Sequence, residues 1–107
     1  MKTTQNILNQ LEEVLMQNIS DNTFGITEFC NALDISRTQL HRKVTESTGM
    51  STSLYIRSLR LEIAKDLLET TDMLVYEVAQ EVGFRDVTYF STSFSKEFGY
   101  PPKDLKG

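Results

Sequence analysis

At 107 residues the chain has room for one small hydrophobic core and not for separate cofactor and substrate domains. With 39% apolar and 24% charged residues, 5 Gly, 2 Pro and no Trp, it falls outside the collagenous, low-complexity and disordered classes. Its net charge of -4 runs against the basic balance usual in nucleic-acid binders.

A single cysteine, Cys30, excludes an internal disulfide framework and points to a reducing compartment; the cytoplasm is expected. A single histidine, His41, leaves no conventional nucleophile triad or multi-ligand metal centre, so no cofactor, no metal site and no catalytic residue is expected, and the chain reads as a non-enzyme. No apolar run approaches the roughly 20 residues of a membrane span, and no signal-peptide core follows the first residues.

Helical spacing dominates from the start. Ile7, Leu8, Leu11, Val14, Leu15 and Ile19 recur at three- and four-residue steps as one apolar stripe, and Ser20, Asp21, Asn22, Thr23 and Gly25 follow as a polar turn. A short helix is predicted over 28–33, capped by Thr27, with Phe29, Cys30 and Leu33 facing inward. Ser36 caps a third helix to about Thr48, Leu40 and Val44 form its inner face, and Gly49 supplies the left-handed end. After a Ser51 cap the longest helix is predicted over 52–70; at about 1.5 Å per residue it is a rod of close to 28 Å. A short helix over 75–82, a turn at Gly83 and Phe84, and an Asp86-capped helix to Phe98 with Gly99 at its end come next. Pro101 and Pro102 stop the pattern or open one last short turn.

A repeat lies within this series. Residues 26–35 (ITEFCNALDI) align with 75–84 (VYEVAQEVGF) at an offset of 49, and past one extra residue, Arg85, Ser36 falls on Asp86, Leu40 on Phe90, Val44 on Phe94 and Gly49 on Gly99. The repeated unit reads as a helix-turn-helix. Cys30 and Ala79 are small enough for a close helix crossing, Asp34 and Gly83 occupy the turn position that must accept a left-handed backbone, and Ile35 and Phe84 plug the angle. The competing reading is a pair of hairpins that merely build a core. Charge sorting distinguishes them: Arg37, Arg42, Lys43, Arg57 and Arg60 stand against Glu46 alone in 35–60, a net +4, whereas 1–34 and 61–82 carry -4 and -5. Positive charge thus gathers where phosphates would lie.

Several of these strings together resemble the DNA-binding domain of the AraC/XylS transcription regulators: 36–44 (SRTQLHRKV), Gly49 to Ser51, 55–64 (YIRSLRLEIA), Leu67-Leu68, Val78-Ala79, Val82 to Phe84, Tyr89-Phe90, Phe94 and 98–101 (FGYP). The resemblance covers about residues 20–105. It implies an all-α domain of about seven helices spanning 1–107, in which helix-turn-helix subdomains over 1–50 and 72–107 are joined by a linker helix over 51–71. Each subdomain would insert its second helix into a major groove, on one face of the duplex; successive grooves lie about 34 Å apart, with which the rod's length is compatible. The wording of 59–72 and of 39–43 is similar, more narrowly, to output domains of hybrid two-component regulators. Double-stranded DNA is then the expected partner, RNA polymerase a further one, and a homodimer would form through domains outside this chain. Thr52 stands where the family often has proline, Leu74 where a Ser or Thr would cap a helix, and the second reading helix is less basic than many.

Within this frame Arg37, Thr38, His41 and Arg42 point outward from the first reading helix, and Val87, Thr88, Ser91 and Thr92 from the second; these eight are the candidate base contacts. Arg42 is the guanine reader of choice because its planar fork matches the O6 and N7 acceptors, with phosphate or a surface ion pair as the alternatives. Thr38 and His41 divide between base contact and bystander. Val87 and Thr88 offer methyl groups to thymine and Thr92 a hydroxyl, against a helix that docks through phosphates alone. Ser36, Lys43, Ser51, Arg57, Arg85 and Lys96 are the candidate phosphate contacts, Ser51 because a helix N-terminus favours an anion. Arg60 reads as an internal ion-pair partner and Cys30 as core. A helical protein-interaction module with little DNA affinity is the alternative function.

Overall fold

The computed structural model describes residues 4–106, with side chains from residue 7 onward. Six α-helices follow one another: α1 (Thr4–Gln17), α2 (Ile26–Leu33), α3 (Arg37–Thr48), α4 (Thr52–Thr70), α5 (Val75–Glu81) and α6 (Val87–Phe98). A 3-10 turn over Pro102–Leu105 stands in place of a seventh helix, and the described residues contain no strand. The all-α expectation is met, and no helix among them is long and apolar enough to cross a membrane.

Three boundaries differ from the sequence reading. α1 ends at Gln17, so Ile19 lies beyond the helix whose stripe it seemed to continue; Asn18 turns back instead, its backbone N–H bonding the Leu15 carbonyl at 2.9 Å and its side chain the Val14 carbonyl at 2.9 Å. α2 begins two residues early, with Gly25 and not Thr27 in the cap position. There the Glu28 carboxylate reaches back to accept from the Gly25 N–H at 2.8 Å, and Phe29 N–H bonds the Gly25 carbonyl at 3.0 Å. α5 stops at Glu81 and Val82 becomes its C-cap.

By contact the chain divides into two units, Thr23–Arg57 with the chain up to Asn18, and Ile19–Asn22 with the chain from Ser58 onward. In the first, α1 packs on α2 and α3. Leu11, Leu15, Phe29, Leu40 and Val44 are completely buried there, and Cys30 lies among them as a small core residue. Full burial of side chains of this size stabilises by about 1.5–3 kcal/mol each. The Phe24 ring meets Phe29 edge to face at 4.9 Å.

The second unit is built on an aromatic spine. Phe90 and Phe94 are fully buried, and a chain of ring contacts runs from Phe84 through Phe90 and Phe94 to Phe98 at 5.2, 5.9 and 4.6 Å. Leu61, Ala64, Leu68, Val78, Ala79 and Val82 close the core around it, and Ile19 packs against this cluster. The Lys106 ammonium donates to the Thr71 carbonyl at 2.6 Å, satisfying one of the orphan acceptors at the end of α4.

Candidate nucleic-acid interface

The two repeats fold alike in backbone detail. At the first turn Asp34 adopts the left-handed conformation, φ 54° and ψ 54°, and Ile35 N–H bonds the Cys30 carbonyl at 3.1 Å. At the second, Gly83 has φ 89° and Phe84 N–H bonds the Ala79 carbonyl at 2.9 Å. The second helices of the repeats end alike too: Gly49 and Gly99 are left-handed, and their N–H groups bond the Thr45 and Ser95 carbonyls at 2.8 Å each. A further correspondence escaped the sequence reading. Glu77 accepts from the Leu74 N–H at 2.8 Å just as Glu28 does from Gly25, so at both helices the returning half of a capping box is present without a side-chain cap. The signal was present, since Glu28 and Glu77 align in the repeat.

On α3, Ser36 is the N-cap as expected: its hydroxyl accepts from Gln39 N–H at 3.1 Å while Gln39 Oε1 accepts from Ser36 N–H at 3.2 Å. This arrangement occupies the Ser36 hydroxyl. With Leu40 and Val44 turned into the core, Arg37, Thr38, His41 and Arg42 are all exposed on the opposite side. Arg37 reaches Thr27 Oγ1 at 3.4 Å, His41 Nε2 lies 3.5 Å from Thr45 Oγ1, and Arg42 has no partner among the described residues. These four side chains, with Ile26 and the first residues of α4, Ser51, Thr52 and Ser53, line an open concavity of about 430 Å³. Ser51 Oγ accepts from Leu54 N–H at 3.3 Å, so its hydroxyl caps α4. The Thr52 hydroxyl is buried without a partner among the described residues. Lys43 and Arg57 are half-buried, and Arg57 makes interactions of its own.

On α6, Asp86 Oδ1 accepts from Thr88 N–H at 2.8 Å. Phe90 and Phe94 face the core, leaving Val87, Thr88 and Thr92 exposed and Ser91 half-buried. Ser91, Thr92, Ser95 and the exposed Lys96 share a shallow surface. Arg85 is exposed beside the Asp86 cap and donates from Nε to Asn22 Oδ1 at 3.1 Å, a partner that no pattern in the sequence announced. Arg60 is internal, as anticipated, and backbone carbonyls are among its partners: Nη1 donates to Ile19 at 2.8 Å and Val82 at 2.7 Å. Burial pushes its pKa down from the ordinary value, and the nearby Asp21 charge opposes that shift.

Chemically, each unit by itself presents an exposed helix face carrying hydroxyls and methyl groups, with arginines on α3, backed by a fully buried apolar face. Among the described residues no group of three or more His, Cys, Asp or Glu side chains is placed to hold a metal ion. Two helix-turn-helix units with free second-helix faces define the class, a helix-turn-helix DNA-binding domain. A family model described as a helix-turn-helix domain matches residues 29–107. The chain belongs to that family, in its AraC-type branch.

Among relatives, the HTH-type transcriptional activator RhaR of Cronobacter sakazakii is 36% identical over 86 residues, 80% of this chain and 30% of that protein. Histidine kinase P4 of Formosa agariphila is 30% identical over 102 residues, 95% of this chain but 7% of that protein. The chain therefore spans under a third of the length of either. Of solved structures, the C-terminal domain of the two-component response regulator yesN from Fusobacterium nucleatum superposes with a TM-score of 0.79 at 31% identity, covering 95% of this chain and 99% of that one.

Proposed function

We propose that this chain is the sequence-specific, double-stranded DNA-reading output domain of a bacterial transcription regulator, with residues 1–50 and 72–107 as two reading subdomains and 51–71 as the helix that links them. The observation that carries the reading is the repetition of one helix-turn-helix geometry, each copy leaving the N-terminal face of its second helix uncovered. A pair of hairpins serving only a core has no reason to keep both faces polar and free. Arg37, Thr38, His41 and Arg42 on α3 and Val87, Thr88, Ser91 and Thr92 on α6 take the base edges of successive major grooves. Phosphates fall to Lys43, Arg57, Arg85 and Lys96, with Ser36 and Ser51 contributing through helix N-termini, their hydroxyls being engaged in capping.

The similarity to a histidine kinase and to a response-regulator C-terminal domain supports placement within a two-component regulator; the narrower reading is the hybrid type, in which kinase, receiver and output segments share one polypeptide. Dimerisation and contact with RNA polymerase then belong to the whole regulator.

Selection from a randomised duplex pool, followed by titration of the recovered duplex against salt, tests the reading. Two enriched motifs about one helical turn apart and a steep salt slope are expected. A single enriched motif overturns base reading by α6, and absence of binding at low salt overturns the DNA-reading function in favour of a protein-interaction module.

A further inference from the structure

Ile19–Asn22 precedes the first helix-turn-helix in sequence yet belongs by contact with α5 and α6. Ile19 packs on the core there, and one buried side chain holds the backbone of the segment. Arg60, only 7% exposed, donates from Nη1 to the Ile19 and Val82 carbonyls at 2.8 and 2.7 Å and from Nη2 to the Asp21 carbonyl at 3.4 Å. A planar fork of five fixed donors suits this cluster of acceptors, which a lysine could serve only in part. Gly83 leaves the room, since a Cβ there would collide with the Arg60 guanidinium. The segment is thereby clasped to the end of α5, next to the turn that leads into α6.

At the outer end of the same segment, Asn22 Oδ1 accepts from Arg85 Nε at 3.1 Å. Arg85 is the extra residue of the second repeat and has no counterpart in the first. The bond takes the inner donor of the guanidinium, and the two terminal amino groups have no partner among the described residues. An amide holds the side chain without neutralising it, where an aspartate would compete with a phosphate for the charge. We propose that Asn22 is a positioning residue that holds Arg85 with its terminal amino groups directed outward for a DNA phosphate, and that Arg60 fixes Asn22 by clasping the Ile19–Asn22 segment. This inference rests on the reading of Arg85 as a phosphate contact.

The test is a double-mutant cycle on the whole chain, read as affinity for a random-sequence duplex in low salt by fluorescence anisotropy, with thermal melting alongside. R85A is expected to lose about tenfold in affinity and to lower the salt slope by about one. N22A is expected to lose about threefold, the cost of ordering a free side chain on binding, with the slope and the melting temperature unchanged. In the R85A background N22A should cost nothing more. An N22A loss of the same size in both backgrounds overturns the positioning role while leaving the phosphate reading intact. R85A without loss overturns the phosphate reading, and the proposal with it. R60K, assayed below its own melting temperature, should reproduce the N22A loss; an R60K protein with undiminished affinity removes Arg60 from the device.

Discussion

Thr52 is the first residue of α4, 3% exposed, and its Oγ1 is the one buried side-chain polar atom left without a partner among the described residues. A buried hydroxyl in that position costs about 1–3 kcal/mol relative to a paired one. Valine has the same shape and replaces the hydroxyl with a methyl group, whose burial adds favourable transfer free energy, and the two residues differ little in helix propensity. Thr52→Val is therefore expected to stabilise the protein by about 1–2 kcal/mol. For a domain of this size that raises the melting temperature by about 4–8 °C per kcal/mol. The measurement is urea unfolding followed by helical circular dichroism: the midpoint should move up at constant slope, since the surface exposed on unfolding is unchanged. A midpoint that stays or falls refutes the reasoning, because the hydroxyl must then be hydrogen-bonded in solution. Thr52→Pro is a second probe. Proline suits a first helical position, where the N–H has no intrahelical acceptor, and should also stabilise, by about 0.4–1 kcal/mol through the unfolded chain.

Arg42→Ala should relax preference at one base pair by about 1–3 kcal/mol, whereas Arg57→Ala should weaken all sequences alike; binding to duplexes with single substitutions separates them, and uniform loss in both variants contradicts the assignment of base and phosphate roles. Gly83→Ala should be far more damaging than Gly49→Ala. Both positions are left-handed, which costs an alanine about 1–2 kcal/mol, but the space around Gly49 is open while a Cβ at 83 strikes the Arg60 guanidinium and the Ile19 carbonyl. Equal midpoints for the two variants in urea unfolding would show that the clasp gives way without cost.

Much of the molecule was legible in the sequence because the relevant physics is local. Ser36 and Asp86 cap helices through N–H groups two or three residues away, Gly49 and Gly99 end them in the left-handed region, and Asp34 and Gly83 occupy the turn that region requires. The inward set Leu40, Val44, Phe90 and Phe94 follows from the helical period, and the exposed sets on α3 and α6 are its complement. The repeat supplied the rest, and would have supplied the Glu28 and Glu77 caps.

What lay outside the sequence's reach depends on groups far apart along the chain. Ile19 has the spacing of an α1 residue, but periodicity cannot say that its carbonyl will be taken by Arg60, 41 residues on, and its side chain by the core of the second unit, to which it belongs. Asn22 reads as one more polar turn residue, and only the fold brings it to Arg85, 63 residues away. Arg60 stands in sequence among five basic residues, and its reading as an internal partner named no acceptor. Burial and carbonyl acceptors set it apart, and those are properties of its surroundings. The residues of 20–35, 36–50 and 75–99 thus specify which helices form and which faces they bury through contacts within a turn or two. Which acceptors take the buried guanidinium of Arg60 was decided by tertiary packing, because only the folded chain brings the Ile19 and Val82 carbonyls, 41 and 22 residues away, to it.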